Sequence, residues 1–322
     1  MQLNNPHYIT IKLTSLLLTV GLASAISSAQ ANLLIAYNPD GVASNFQLGL
    51  FSDTGTLLQT YATGFSNTQR VTVDGSGNGY MADAGTGIYK YNLTTAAGGV
   101  LFNQAGYTPL GLGFNSNRPG EILISGIDNT PANPPDGSGA PGSGNDSIAR
   151  IDSTTGAFLA SFRAGGDYTD IDYDSGTGQL IGAIGIQLAQ TFDPVTLAYG
   201  INLPPITGNS QTTTSLNGVL YYGLTNGQIR TQSDSLIYTL SGGASPNAYD
   251  ITNDGTNLIA VDYTNGIVSR FTTGGTLINS FDVGAAASGV AFTAVPEPST
   301  YAYALMGFSG LALLAFRRRR AV

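Results

Sequence analysis

Six oxygen-bearing side chains recur at the start of short, apolar-alternating segments, and their chemistry suits a metal ion. They are Asn67, Gln69, Asp167, Asp170, Asn247 and Asp250. Carboxylate and amide oxygens are the ligands that Ca²⁺ prefers. If the segments surround one axis, these side chains either hold Ca²⁺ or form the solvated polar lining of a channel mouth. We expect the polar lining, with no cofactor, and keep Ca²⁺ as the alternative.

Two residue types that carry much enzyme chemistry are almost missing. The chain has no cysteine, and its one histidine is His7, in a segment that we expect to be removed. The mature protein then has no Ser-His-Asp or Cys-His catalysis, no Cys/His zinc site and no disulfide. Carboxylate pairs, which support glycoside hydrolysis, remain available. The formal net charge of -8 excludes a nucleic-acid partner, because phosphate binding needs a basic face.

The composition predicts that strands position these side chains. Of 322 residues, 43 are Gly and 17 are Tyr, while only 10% are charged. Short apolar runs alternate with Asp-Gly, Asn-Gly and Gly-Gly turns, and no stretch keeps a helical period. The tyrosines could stack on sugars, but strand preference explains most of them. The chain is therefore predicted to be all-β.

A repeated unit of about 40 residues organises the body of the chain. Its hairpin turn recurs at Gly55, Gly99, Gly156, Thr196, Ser235 and Gly275. Each unit offers four short strands, which is the size of one β-propeller blade. A Pro- and Gly-rich insertion at 129–145 lengthens one interval and is predicted to be a flexible surface loop.

Six units fit the body, so we predict a six-bladed β-propeller over residues 32–294. The last unit ends after its inner strand, and the apolar segment Leu33–Tyr37 is a strand without a hairpin partner. Pairing the two would close the ring and remove an open sheet edge. A seven-bladed propeller and a β-sandwich remain alternatives.

Residues 1–31 have the pattern of a secretory signal peptide. Lys12 precedes an apolar run from Leu13 to Ile26, and the small-residue site Ala29-Gln30-Ala31 follows. Such a segment is read by the Sec translocon and cut by signal peptidase. We therefore expect the mature chain to begin at Asn32.

The C-terminal residues 295–322 combine a short motif with a membrane anchor. Pro296, Glu297 and Pro298 precede an uncharged segment, 300–316, which the four arginines Arg317, Arg318, Arg319 and Arg320 follow. As a helix this segment rises about 25 Å, the lower limit for crossing a bilayer core. The arginines act as a stop-transfer signal and keep the tail in the cytoplasm.

In its order of parts, the segment 295–320 resembles the PEP-CTERM sorting tail of Gram-negative bacteria that secrete exopolysaccharide. The resemblance implies recognition by an exosortase, which cuts near the motif and releases or transfers the body. The repeats resemble NHL-type and streptogramin-lyase-like units at Met81-Ala82-Asp83 and Ala260-Val261-Asp262. That second resemblance supports a propeller and carries no activity.

These features lead to one main functional hypothesis and two competitors. The first is an exported, exosortase-sorted protein of the cell surface or extracellular matrix, with a non-enzymatic binding or structural role beside exopolysaccharide. It would pass transiently through the inner membrane. The competitors are a Ca²⁺-dependent propeller hydrolase or lyase acting on a lactone or polysaccharide, and a periplasmic protein whose anchor is never cut.

Overall fold

The computed structural model describes residues 32–42, 44–128, 146–163, 168–185, 188–243 and 245–293. These residues form 24 strands in six four-stranded sheets. Across the described ranges, no helix has the length and apolar character needed to cross a bilayer. The expected signal peptide (1–31), loop insertion (129–145) and sorting tail (295–322) lie outside the described residues.

One sheet combines three strands from the start of the described chain with one from its end. Its strands hydrogen-bond in the order β24-β1-β2-β3. They are β1 (Asn32–Asn38), β2 (Phe46–Ser52), β3 (Leu57–Phe65) and β24 (Ala286–Thr293).

The other five sheets each use four consecutive strands, ordered as in the sequence. The first two contain β4 (Thr68–Val73), β5 (Asn78–Asp83), β6 (Gly87–Asn92), β7 (Gly98–Phe102), β8 (Tyr107–Phe114), β9 (Glu121–Asp128), β10 (Asp146–Asp152) and β11 (Phe158–Arg163). The remaining three contain β12 (Tyr168–Asp174), β13 (Gln179–Ile184), β14 (Leu188–Phe192), β15 (Tyr199–Asn202), β16 (Ser210–Leu216), β17 (Val219–Leu224), β18 (Gln228–Thr231), β19 (Leu236–Thr239), β20 (Ala248–Asn253), β21 (Asn257–Asp262), β22 (Ile267–Thr272) and β23 (Leu277–Asp282).

The sheets are the blades of a closed six-bladed propeller. The inner strands β4, β8, β12, β16, β20 and β24 each pack against the next, and β24 packs against β4. Buried apolar side chains fill the spaces between blades, as where Tyr80 and Ile88 meet Leu112 and Ile122. The predicted six-bladed propeller is confirmed, and the seven-bladed and sandwich alternatives are wrong.

Strand β1 closes the ring as the sequence predicted. It lies between β24 and β2, and Asn32 pairs directly with Thr293. All seven residues of β1 are buried. A central strand hydrogen-bonds along both edges, so β1 removes the open edge that the last blade would otherwise have.

The turn between the third and fourth strand of each blade repeats, with a correction to the predicted equivalences. One residue per turn has a positive φ, and these residues are Gly55, Ala96, Gly156, Leu197, Asp234 and Gly275. Gly99 instead lies inside β7, while Thr196 and Ser235 are each one residue from the equivalent position. Glycine positions alone do not align the six turns, because three blades have a residue other than Gly at the position with a positive φ.

Side-chain caps recur in the same turns. Asp152 Oδ1 accepts hydrogen bonds from the backbone N–H groups of Thr154 and Thr155, and Asp193 accepts the same pair from Val195 and Thr196. These bonds lower the pKa of both carboxyls, since they favour the ionised form. Short polar side chains thus fix turn geometry here, as Asx turns do generally.

Long polar side chains link neighbouring blades at the outer rim. Lys90 Nζ donates to the Ser153 carbonyl at 2.7 Å, and Arg150 Nη2 donates to the Val195 carbonyl at 2.6 Å. In both cases the side chain comes from the third strand of one blade. The carbonyl belongs to the turn between the third and fourth strands of the next blade. Lys90 and Arg150 therefore each connect one blade to the next.

We expect Leu34→Ala to destabilise the propeller by about 2–5 kcal/mol, the usual cost of truncating a buried Leu. Leu34 is 0% exposed, and its side chain packs over Gly79 of the neighbouring blade β4–β7, so it joins the ring-closing strand β1 to that blade. Urea unfolding measures the change in free energy of unfolding.

The control for this prediction is Ile201→Ala on the outer strand β15, where the side chain is 62% exposed. That change should stay within about 0.5 kcal/mol. Equal effects of the two substitutions would contradict a central, ring-closing position for β1.

Candidate functional site

A β-bulge interrupts all six inner strands at the same level of the ring. In each strand the register with its neighbour shifts after the first residues of the pairing. Bulges re-aim the side chains that follow them. The residues at this level, which we call the central layer, are Arg70, Gly111, Asp170, Thr212, Asp250 and Gly289.

Arg70 fills the centre of this layer. Its side chain is 1% exposed, and its Nε atom lies 3.7 Å from Oδ1 of Asp170 and 3.7 Å from Oδ1 of Asp250. Its Nη1 and Nη2 atoms donate to the carbonyls of Gln69 and Gln211 at 3.0 and 2.7 Å. One guanidinium from β4 therefore joins strands β12, β16 and β20 across the axis.

The two glycines of the central layer let the blades approach closely. A Cβ atom on Gly289 would lie 2.8 Å from the Val71 backbone nitrogen, and one on Gly111 would lie 2.7 Å from the Asp170 Cα atom. Both distances are too short for a side chain. The layer therefore has room for only four side chains.

Thr212 bridges the two carboxyls and reports their protonation. Its Oγ1 atom lies 2.8 Å from Asp170 Oδ2 and 3.0 Å from Asp250 Oδ1. A hydroxyl has one proton to donate. It donates to one carboxylate, and a proton on the other carboxyl would let that group donate to the hydroxyl oxygen. The geometry thus fits one shared proton on the pair.

The charges of the layer agree with this arrangement. Burial raises the pKa of both Asp170 and Asp250, and the positive charge of Arg70 opposes the rise. Backbone N–H groups also stabilise the carboxyls, from Thr213 to Asp170 at 3.1 Å and from Val290 to Asp250 at 2.8 Å. With one proton shared, the guanidinium and the remaining carboxylate neutralise each other in a buried environment.

A second network lies beside the layer, at the beginnings of the inner strands. Gln69 Nε2 donates to Asn67 Oδ1 at 2.6 Å, and the Tyr249 hydroxyl donates to Gln69 Oε1. The Tyr249 ring lies 4.4 Å from the Arg70 guanidinium carbon, a cation–π contact. The ring also packs against Tyr263 at a centroid distance of 4.8 Å.

Five of the six predicted mouth residues lie in the described chain, and Asp167 lies outside it. Asn67 and Gln69 meet in one network, and Asp170 and Asp250 meet in the central layer. Asn247 is held separately, by a bond from its backbone N–H to Asp262 at 3.0 Å, and its buried Oδ1 atom has no hydrogen-bond partner among the described residues. Across the part of the chain that the structure describes, no three His, Cys, Asp or Glu side chains are grouped to hold a metal ion.

Sequence reasoning missed Arg70, the residue that organises the site. A usable signal existed, because Arg70 interrupts the apolar strand ending Val71-Thr72-Val73 and the body has few basic residues. Aligning the blades on their inner strands would have placed Arg70 level with Asp170 and Asp250.

The tyrosines considered for sugar stacking mostly belong to the core. Tyr107, Tyr168, Tyr221 and Tyr222 are buried. Their rings are not available for stacking on a sugar. Their strand preference, noted from composition, accounts for these four positions.

A cavity of about 200 Å³ follows the central layer along the axis. Its polar side chains are Asp172 and threonines of three inner strands, and Asp170 and Asp250 border it. Burial and the nearby charge of Asp170 raise the pKa of Asp172 to about 7. The apolar residues that also line it are Val71, Val73, Leu112, Phe114, Ile171, Ile251, Val290, Ala291 and Phe292.

We expect Arg70→Met to destabilise the propeller by about 3–5 kcal/mol, the cost of removing one partner of a buried ion pair. The loss should grow as the pH rises through the raised pKa values of the wild-type carboxyls, of which that of Asp250 is about 8. Without the guanidinium, the pKa of both buried carboxyls rises further, and an acid with a raised pKa loses stability as it is forced to ionise. Urea unfolding at several pH values measures both effects.

Arg230→Met is the matched control. Arg230 pairs at 3.1 Å with Asp234, whose side chain is a third exposed, so its loss should cost about 1 kcal/mol or less. If Arg70→Met is as mild as Arg230→Met at every pH, the central ion pair does not hold the inner strands together.

Two solved structures resemble the described propeller. A protein of unknown function from Bacteroides caccae matches with a TM-score of 0.59 and 11% identity, covering 82% of this chain and 98% of that one. A structure of the Nidogen/Laminin complex matches with a TM-score of 0.60 and 13% identity, covering 81% and 98%. At this identity the likeness shows the fold alone. Among curated proteins the sequence has no match.

The tail matches a family by sequence. Residues 294–320 match the PEP-CTERM protein-sorting motif, which includes Pro296, Glu297, Pro298 and the four arginines. The match begins at residue 294, directly after Thr293, the last residue of the described propeller. The resemblance recognised in the sequence is confirmed for this segment. The chain is therefore a six-bladed β-propeller that carries a PEP-CTERM sorting motif, the mark of an exported substrate of an exosortase.

Proposed function

We propose that the protein is sorted to the cell surface or extracellular matrix, where it has a non-enzymatic binding or structural role beside exopolysaccharide. Signal peptidase would free Asn32 after passage through the Sec translocon, and exosortase would act near Pro296–Pro298. The sorting motif supports the route. The motif does not specify the ligand, so the role rests on the site.

The observation that carries the non-enzymatic role is the state of the central carboxyls. Asp170 and Asp250 are bonded to Thr212, to backbone N–H groups and to each other through Arg70. A general acid or base needs a carboxyl that can reach a substrate, and a metal site needs free oxygens. Both carboxyls are committed to joining blades. This supports a scaffold whose outer surfaces do the binding.

Replacing Pro296, Glu297 and Pro298 together by Ala should leave the protein in the membrane fraction with its tail attached. The wild-type product should be released from the inner membrane and lack Arg317–Arg320. Cell fractionation followed by intact-mass spectrometry measures both properties.

Ser299→Ala, which adjoins the motif, serves as the control and should be processed like the wild type. A mature wild-type protein that still carries Arg317–Arg320 would show that the tail is a permanent anchor. That result would overturn the sorting route without affecting the propeller.

A Ca²⁺-dependent hydrolase or lyase acting on a lactone or polysaccharide is the competing proposal, and one incubation separates it from the scaffold. The exported protein, purified as cells process it, is mixed with the exopolysaccharide of the producing cells, in Ca²⁺ or in a chelator. We expect the protein to sediment with the polymer, and the polymer length to stay constant in both buffers. Sedimentation and size-exclusion chromatography give the two readouts.

The outcomes of this incubation are distinct. Shortening of the polymer that stops in the chelator would establish the enzyme in place of the scaffold. Failure to sediment with the polymer in either buffer would remove the exopolysaccharide role. Neither result depends on where the tail is cut.

A further inference from the structure

The axial cavity contains a half-buried carboxyl that pairs with no cation in the described chain. Asp172 faces the cavity from β12, and no ion pair among the described residues includes it. Its backbone and hydroxyl donors come from Tyr173, Ser215 and Thr214. Buried charges in proteins are normally paired. The only cation of the layer, Arg70, is already shared between Asp170 and Asp250.

A hydroxyl of the same cavity, unlike the hydrogen-bonded carboxyl of Asp172, is unsatisfied. Thr213 is 2% exposed, lines the cavity, and its Oγ1 atom has no hydrogen-bond partner among the described residues. Buried hydroxyls are almost always bonded, and an exception calls for an explanation. A bound molecule that donates or accepts a hydrogen bond would satisfy Thr213 and Asp172 together.

The walls of the cavity define the rest of such a molecule. Apolar side chains, among them Val71, Leu112, Phe114 and Phe292, line part of them beside the polar groups. The volume of about 200 Å³ is that of a small organic molecule. No cluster of three acidic or His side chains for a metal ion exists in the described chain. The carboxyls outnumber the single guanidinium, and low-dielectric walls focus their negative potential on a cation.

We propose that the axial cavity binds a small primary ammonium compound, with its ammonium group on Asp172 and Thr213 and its apolar body against the Val, Leu and Phe walls. A charge-assisted bond to the carboxylate is the strongest contact available there. The site lies beyond the central layer from the predicted channel mouth. It is independent of the sorting route and of the exopolysaccharide role.

Three ring compounds of one shape test the proposal. Cyclohexylammonium, cyclohexanol and cyclohexanecarboxylate are titrated by calorimetry into the exported protein, purified as cells process it. We expect cyclohexylammonium to bind with a 1:1 stoichiometry, at least tenfold more tightly than cyclohexanol, and the carboxylate to show no binding. An absence of binding by cyclohexylammonium, or equal binding of all three probes, overturns the proposal.

Two variants locate the site. Asp172→Asn should weaken cyclohexylammonium at least tenfold, and Thr213→Val, which removes a hydroxyl without a partner, should weaken it severalfold with an unchanged melting temperature. Asp282→Asn on the exposed outer strand is the control and should bind like the wild type. Unchanged binding by both cavity variants would overturn the assignment. Thr213→Val is expected to stay folded. It therefore tests the site even if Asp172→Asn fails to fold.

The pH dependence adds a readout that a purely structural Asp172 would not give. The pKa of Asp172 is about 7, so its carboxyl is ionised at pH 8 and mostly protonated at pH 6. The charged groups that face the cavity besides it are Asp170, Asp250 and, through the layer, Arg70. Binding of cyclohexylammonium should be several times tighter at pH 8. Tighter binding at pH 6 would contradict the role of the ionised carboxylate.

Discussion

The ion pair that Arg70 shares between Asp170 and Asp250 is the contact on which the centre of the propeller depends. A propeller has no strand at its axis, so its inner strands present unpaired edges to one another. One guanidinium spans this gap and reaches the carbonyls of its own strand and of β16 as well. Breaking it leaves buried carboxyls unpaired, which costs far more than losing an exposed pair.

The rest of the ring is arranged so that this pair can form. Bulges in all six inner strands bring one residue per blade to the same level. Gly111 and Gly289 leave that level without side chains, because the neighbouring backbone lies too close. Thr212 then fills the space between the two carboxyls. Four side chains with matched charge and one shared proton thus take the place of a hydrophobic plug.

Much of the fold follows from local sequence, while the site required knowledge of register. Turn residues and a repeat of about 40 residues predict four-stranded blades, and the unpaired strand Leu33–Tyr37 predicts the closure with β24. The alignment of turns failed at Gly99, since the equivalent residue is Ala96 at a positive φ. Arg70 was missed because the repeats were aligned on their turns, while the bulged inner strands decide which side chains share a level. Asp170 and Asp250 were identified as neighbours, but their partner was not.

The pairing of Asn32 with Thr293 also sets the order in which the protein can fold. The first strand of the described chain is central in its sheet, and one of its two neighbours is the last strand of the described chain. Contacts this distant in sequence are slow to form. The closing blade stays incomplete, with an open sheet edge, until β24 is available. Ring closure is therefore a late step in folding. It requires a chain that extends through residue 293, the end of β24.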